Sequence, residues 1–238
     1  MAAERGIAPL LTDAASLSEE ALEQMACALP AARQEAVNRR RGEARREAVT
    51  AAYLALYALV RTHEAAPGPS WPSIRRLLAA SPEIAALGAG LGWPTGRYGQ
   101  PFPDGCVLNG KGKAAGIRFV SLSHSGGVAA AAACPAPIGL DLQGRLPEPA
   151  DRLLRIAGKF HPSERERLED LPAGELPAAF RRLWAAKESV LKLCGRGLNL
   201  SPAAFCVRED GTGELEGRGF RVVHWETEAG SLAAAVWT

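Results

Sequence analysis

Charged side chains stand at unusual positions in the segment RRLWAAKESVLKLC of this 238-residue chain. At helical spacing, Lys187 falls in the middle of an apolar stripe. A lysine in that place must either reach water or meet an anion. Glu188 and Lys192 stand four residues apart on the flank of the same face. An ordinary Glu–Lys pair on a helix surface would explain Glu188 and Lys192, but it does not explain Lys187.

A second candidate segment, PIGLDLQ, predicts a strand. Alternation places Gly139, Asp141 and Gln143 on one face and the apolar residues on the other. An acid within a short apolar strand, beside a glycine that leaves room for a ligand, indicates a metal or phosphate site. A solvated strand face remains the alternative.

The third segment, SLSHSGG, combines alternating serines with His124 and a pair of glycines. Hydroxyl groups, an imidazole and free backbone amides together suit a phosphate, although a serine-rich turn has the same pattern. A Ser–His–Asp hydrolase is disfavoured, because no nucleophile elbow is present.

Two cycles of helices followed by strands must position these segments. In the first cycle, a helical pattern broken at Pro30 covers residues 18–62, and a loop-rich stretch with one short helix at 73–80 follows. Its strand-like runs are IRFVSLS, GVAAAAA and PIGLDLQ. In the second cycle, helices are predicted at about 149–157, 162–169 and 177–194, and strands at FCVRE, GFRVVHWE and LAAAVWT.

This repetition predicts an α+β protein built from two similar halves. We assign residues 1–136 to an N-terminal half and residues 137–238 to a C-terminal half that carries most of the candidate metal and catalytic residues.

Composition excludes several classes of protein. Hydrophobic residues make up 47% and charged residues 23%, which is a globular balance. No apolar run approaches the ~20 residues that a membrane span needs, and no secretory signal is evident, so we expect a cytoplasmic protein. A nucleic-acid binder is the alternative from another class, and the net charge of +2 disfavours it.

Taken in order, the segments SLSHS, IGLDLQ, FHPSE and LWAAKESVLK with GRGLNL resemble the surfactin-type (Sfp-type) 4'-phosphopantetheinyl transferases. The family signature is G-[IV]-D, followed about forty to fifty residues later by W-x-x-K-E-[SA]-x-x-K. The matching residues are Gly139, Leu140, Asp141, Trp184, Lys187, Glu188, Ser189 and Lys192.

The resemblance implies two α+β halves related by a pseudo-twofold axis, with coenzyme A between them, in a monomer. It also implies a reaction in which the phosphopantetheine group moves from coenzyme A to a serine of an apo acyl or peptidyl carrier protein. Mg²⁺ binds the pyrophosphate, and 3',5'-ADP is released.

The resemblance further implies roles for the matched residues. Asp141 and Glu188 bind Mg²⁺, and Glu188 is also the base for the carrier serine, either directly or through water. Lys192 neutralises or protonates the departing phosphate. Lys187 reaches a phosphate of coenzyme A, and Glu164, in FHPSE, matches a further acid that in some members approaches the metal.

In the family, a serine and a histidine that match Ser123 and His124 lie near the coenzyme A phosphates. Two departures stand beside these matches. Gln143 takes the place of a frequent second acid, so it is a weaker candidate metal ligand, and Gln100 stands where a phosphate-binding lysine is usual. These departures leave open the alternative that the protein is a catalytically impaired member of the family, which binds coenzyme A or carrier proteins without transferring the group. The arginines at 39–41, 45 and 46 either bind the 3'-phosphate or form a solvated charge run.

Overall fold

The computed structural model describes residues 7–61, 67–90, 119–145 and 149–238. The chain divides into two compact units, Met1–Ile138 and Gly139–Thr238. Helices and antiparallel strands occur in both units, so the predicted α+β class is confirmed. The pseudo-twofold relation between the halves stays a prediction.

The first unit combines five described helices with a three-stranded sheet in the order β1-β3-β2. The strands are β1 (Leu10–Asp13), β2 (Phe119–Ser125) and β3 (Val128–Cys134). The helices are α1 (Glu19–Cys27), α2 (Ala31–Asn38), α3 (Gly42–Arg61), α4 (Ile74–Ala79) and α5 (Ser81–Gly90). The predicted break at Pro30 is confirmed, whereas β1 and α5 were not predicted.

Helix α3 packs against the sheet of the first unit and forms the centre of its core. All residues from Ala48 to Leu59 are buried. Facing strand β3 consists mainly of alanines, and Ala129 to Ala132 have no exposed surface. Small side chains let a helix approach a sheet closely, so the alanine-rich run is a packing surface.

The second unit contains a four-stranded sheet in the order β4-β7-β6-β5, with α8 packed on β6 and β7. The strands are β4 (Ile138–Gly144), β5 (Thr212–Leu215), β6 (Arg218–Thr227) and β7 (Gly230–Trp237). The helices are α6 (Ala150–Ala157), α7 (Pro162–Glu169) and α8 (Leu176–Leu193), which confirms all three helices predicted here.

The segment FCVRE, residues 205–209, is not the strand that its alternation predicts. At Phe205 and Val207 its backbone hydrogen bonds go to side chains, and Arg208 bonds to backbone in a turn, donating to Thr212 O and accepting from Gly211 N. Val207 N donates to Glu164, Val207 O accepts from Arg167, and Phe205 O accepts from Lys187. Alternating burial therefore arises here without a β-ladder. None of the helices that the structure describes is long and apolar enough to cross a membrane.

Candidate active site

An ion pair between β4 and α8 joins two of the predicted catalytic residues. Lys192 Nζ lies 2.7 Å from Asp141 Oδ1 and also donates to Leu140 O at 2.9 Å. Gln143 Nε2 donates to the other Asp141 oxygen at 2.8 Å, as the same-face alternation of β4 predicts. We refer to Asp141, Gln143, Glu188 and Lys192 as the open cluster, because the Lys192 side chain is 26% exposed.

Gly139 determines how closely α8 approaches β4. A Cβ atom built at this position would lie 1.9 Å from Ser189 O and 2.5 Å from Leu193 N. The space beside Gly139 is therefore filled by the backbone of α8, and the prediction that it leaves room for a ligand is wrong. The close approach instead brings the helix turn with Glu188 and Lys192 to the strand with Asp141.

Electrostatic strain is concentrated at Glu188. Burial and then the negative charge of Asp141 raise the pKa of the Glu188 carboxyl, while Lys192 acts in the opposite direction. Two carboxylates that repel each other across a strand–helix contact form a site that a cation would stabilise.

Magnesium suits this donor set when water and substrate oxygens complete its coordination. Within the described residues, no three His, Cys, Asp or Glu side chains lie close enough to form a metal site by themselves. Asp141 and Glu188 could thus hold the ion as two carboxylate ligands. Whether Gln143 adds its amide oxygen stays a prediction, since its amide group here donates to Asp141.

Lys187 and Glu164 form a second ion pair, which we call the sealed pair. The nitrogen-to-oxygen distance is 2.6 Å, and the side chains are 1% and 0% exposed. Lys187 Nζ also donates to Phe205 O and lies 4.1 Å from the centre of the Phe205 ring. Burial lowers the pKa of Lys187, and the Glu164 charge opposes that shift.

The sealed pair departs from two predictions. Lys187 meets an internal carboxylate in place of a coenzyme A phosphate. Glu164 accepts hydrogen bonds from Val207 N at 2.7 Å and from His161 N at 3.1 Å, so both of its oxygens are occupied by the protein. Glu164 is also fully buried and paired with Lys187, so this arrangement holds it as a structural carboxylate and not at a metal site. The apolar stripe correctly predicts that Lys187 needs an anion, but the sequence does not reveal which one.

In the first unit, His124 is held by a residue that the sequence analysis missed. One Glu47 oxygen lies 2.7 Å from His124 Nδ1, and the other accepts from Gly127 N at 2.7 Å. One carboxylate therefore fixes both the imidazole and the β2–β3 turn. No pattern distinguishes Glu47 from an ordinary glutamate on the surface of a helix.

The structure differs from the predicted phosphate site in two details. The amide of Gly127 is occupied rather than free. Successive strand side chains point to opposite faces, so Ser123 faces away from His124 on β2. Gln100 lies outside the described residues.

Arg40 is the member of the arginine cluster that approaches His124, with Nη1 3.4 Å from Nε2. It lines a small cavity of about 60 Å³ together with His124 and Arg33. Burial and the charge of Arg40 lower the pKa of Arg33. The other arginines are engaged elsewhere: Arg39 pairs with Glu35, Arg45 with Glu23 and Arg46 with Glu19, and Arg41 donates to Asn38 O.

A two-layer α+β unit with an acidic strand–helix site thus carries the motif residues. Residues 137–237 match the family model of the 4'-phosphopantetheinyl transferase superfamily. This match and the relatives below confirm the predicted family resemblance.

Two curated relatives are similar to the chain. It is 37% identical over 98 residues to 4'-phosphopantetheinyl transferase psf-1 of Bacillus pumilus, covering 40% of each chain. It is 31% identical over 134 residues to a 4'-phosphopantetheinyl transferase of Bacillus subtilis, covering 54% of this chain and 53% of the relative. The matched segments therefore span about half the length of these relatives or less.

Proposed function

We propose that the protein transfers the 4'-phosphopantetheine group of coenzyme A to a serine hydroxyl of an apo acyl or peptidyl carrier protein and releases 3',5'-ADP. The open cluster is the observation that carries this proposal. Its two carboxylates and one lysine occupy the family-motif positions and lie together at one strand–helix contact. That arrangement combines a metal-binding group with a cation for a departing phosphate.

Each residue of the open cluster has a separate task in this proposal. Mg²⁺, when bound, would supply positive charge to the pyrophosphate oxygens. Glu188 takes the proton from the carrier serine, directly or through water, and burial and the Asp141 charge, which raise the pKa of its carboxyl, make it a stronger base. Lys192 stabilises the negative charge that develops on the departing phosphate, and Asp141 orients Lys192 before the reaction.

The first unit contains a separate group of cationic side chains. Arg33 and Arg40 lie close enough for their charges to interact, and Arg40 is next to His124. An anion reduces repulsion between neighbouring guanidinium groups. We propose that this group binds a phosphate or another anion, with Glu47 as a positioning residue for His124.

A catalytically impaired member of the family is the alternative function. One observation favours it: Lys192 neutralises Asp141, and Gln143 adds no charge, so the cluster keeps one net negative charge for a divalent ion. Such a protein would bind coenzyme A or a carrier protein without transferring the group.

Mass spectrometry of an apo carrier protein incubated with the protein, coenzyme A and Mg²⁺ distinguishes these functions. We expect the carrier to gain one phosphopantetheine group with wild type and with Glu166→Gln, which changes an exposed glutamate of α7. We expect Glu188→Gln to lose the gain. Coenzyme A binding by wild type without any mass change, across a panel of acyl and peptidyl carriers, would support the alternative.

A further inference from the structure

A cavity of about 420 Å³ lies in the second unit, bordered by α7, α8, residues 205–209 and β6. Its volume falls in the range of small-molecule sites, ~300–1,000 Å³. None of the open-cluster residues is among the described residues that line it. The proposed transfer reaction therefore gives this cavity no task.

Much of the cavity wall is aliphatic. The apolar lining residues are Leu168, Leu171, Ala179, Leu183, Ala186 and Val207. Aliphatic walls favour a ligand with a hydrocarbon part, because burying apolar surface is favourable.

His224 contributes an imidazole ring to this wall. The residue lies on the same face of β6 as the buried Phe220 and Val222, and its Nδ1 is buried without a hydrogen-bond partner among the described residues. Burial and the charge of Arg182 lower the pKa of His224 to about 4, so the imidazole is neutral at pH 7. That nitrogen has essentially no accessible surface, so a ligand in the cavity meets other atoms of a ring that carries no charge.

Arg182 is the cation beside that imidazole, and it makes no hydrogen bond or ion pair with the part of the chain that the structure describes. The other lining charges are mostly engaged. Arg167 donates to Val207 O and lies 3.9 Å from Glu209, and Arg208 donates to Thr212 Oγ1. Lys187 neutralises the charge of Glu164, and the Asp170 side chain is exposed.

We propose that this cavity binds a small carboxylate that carries a hydrocarbon chain. The carboxylate accepts hydrogen bonds from the Arg182 guanidinium beside the neutral ring of His224, and the hydrocarbon packs against the leucines. A carboxylate pairs with the charge of Arg182, whereas a cation would be repelled by it.

Titration of the full-length protein with hexanoate tests the proposal, with the imidazole NMR signals of His224 as the readout. We expect saturable shifts with wild type. Arg182→Gln should weaken binding at least about tenfold, because a charge-assisted hydrogen bond is lost. Arg165→Gln is the matched control: Arg165 is exposed, pairs with Glu169 on α7 and does not line the cavity. It should bind hexanoate as wild type does.

Hexanol and inorganic phosphate separate the two parts of the ligand. Each should bind at least about tenfold more weakly than hexanoate, since each lacks one part. Phosphate binding as tight as that of hexanoate would overturn the hydrocarbon requirement. The site itself would be overturned by equal weakening in both arginine variants, or by no saturation at about 50 mM hexanoate, far above a millimolar dissociation constant. These readouts do not depend on transfer activity.

Discussion

Helix α8 carries two lysines, five residues apart in sequence, and each pairs with a carboxylate of another element: Lys187 with Glu164 of α7, and Lys192 with Asp141 of β4. The sealed pair is fully buried, and its side chains also form hydrogen bonds with the backbone of His161, Phe205 and Val207. The open pair of Lys192 and Asp141 is 26% and 4% exposed, and Glu188 is close enough to repel Asp141.

The difference in burial indicates that the same two types of side chain have a structural role in the sealed pair and are available for a reaction in the open pair. A buried charge that has lost water must keep all its protein partners, so the sealed pair cannot exchange them during a reaction. Lys192 retains access to solvent, so under the proposed function it can change partners as a phosphate departs. The comparison therefore supports a stabilising role for the sealed pair and, if the proposed function holds, a role in transfer for the open pair.

Asp141→Asn should produce the largest effect on transfer. The substitution keeps the size of the side chain but removes a metal-binding charge and the partner of Lys192. We expect a loss of turnover of about 10³-fold or more, typical of removing an essential electrostatic group. The carrier mass-shift rate measures it, with an unfolding curve as the control for the fold. Near-normal transfer at ordinary Mg²⁺ would remove Asp141 from the site.

Lys187→Met should have the largest effect on stability. It leaves the Glu164 charge buried without its counter-ion, which typically costs about 3–5 kcal/mol. Urea unfolding measures the change in free energy. Adding Glu164→Gln to Lys187→Met should recover part of the loss, because no unpaired charge then remains buried. If the double variant is less stable than Lys187→Met, the sealed-pair interpretation is wrong.

Gln143→Glu should strengthen the open cluster as a metal site. The new carboxylate would lie beside Asp141 and add attraction for Mg²⁺, partly offset by repulsion from Asp141 and Glu188. We expect the Mg²⁺ requirement to fall by about three- to thirtyfold, or roughly 0.7 to 2 kcal/mol. A Mg²⁺ titration of the transfer rate measures this, and an unchanged midpoint would contradict a vacant ligand position at Gln143.

Glu188→Gln should raise stability in the absence of metal. Because the folded-state pKa of Glu188 is raised, its contribution to stability is fully present below the ordinary pKa and is lost as pH rises through the folded-state value. Removing the charge should therefore stabilise the protein at neutral pH by about 1 kcal/mol or less, since solvent screens a partly exposed carboxylate.

Below the ordinary glutamate pKa of 4.5, this gain from Glu188→Gln should disappear. Excess Mg²⁺ should reduce or reverse it at neutral pH, because wild type then gains metal binding. Urea unfolding at both pH values, with EDTA or with Mg²⁺, measures the differences. A gain that is independent of pH and metal would show that it does not come from the Glu188 charge.

Local periodicity predicted much of the second unit. The three helices and the shared face of Asp141 and Gln143 follow from spacing alone. The family motif also selected the lysine and the two acids that come together in the open cluster.

Contacts between distant segments were not predictable in the same way. The spacing shows that Lys187 needs an anion, but the choice of Glu164 depends on how α7 packs against α8. Gly139 has the same sequence signature whether a ligand or a helix backbone fills the space beside it. Glu47 has no signature, since only the tertiary fold brings α3 to His124.

The transfer rates of Lys192→Met and of the double variant Lys187→Met with Glu164→Gln, measured per folded molecule at saturating coenzyme A and Mg²⁺, test the central comparison most directly. We predict that Lys192→Met lowers turnover at least about 100-fold while the protein stays folded. The double variant should keep turnover within about threefold of wild type, since its charges lie outside the reaction. Loss of turnover in the folded double variant comparable to that in Lys192→Met, or normal turnover in Lys192→Met, would contradict the assignment of transfer to the open pair.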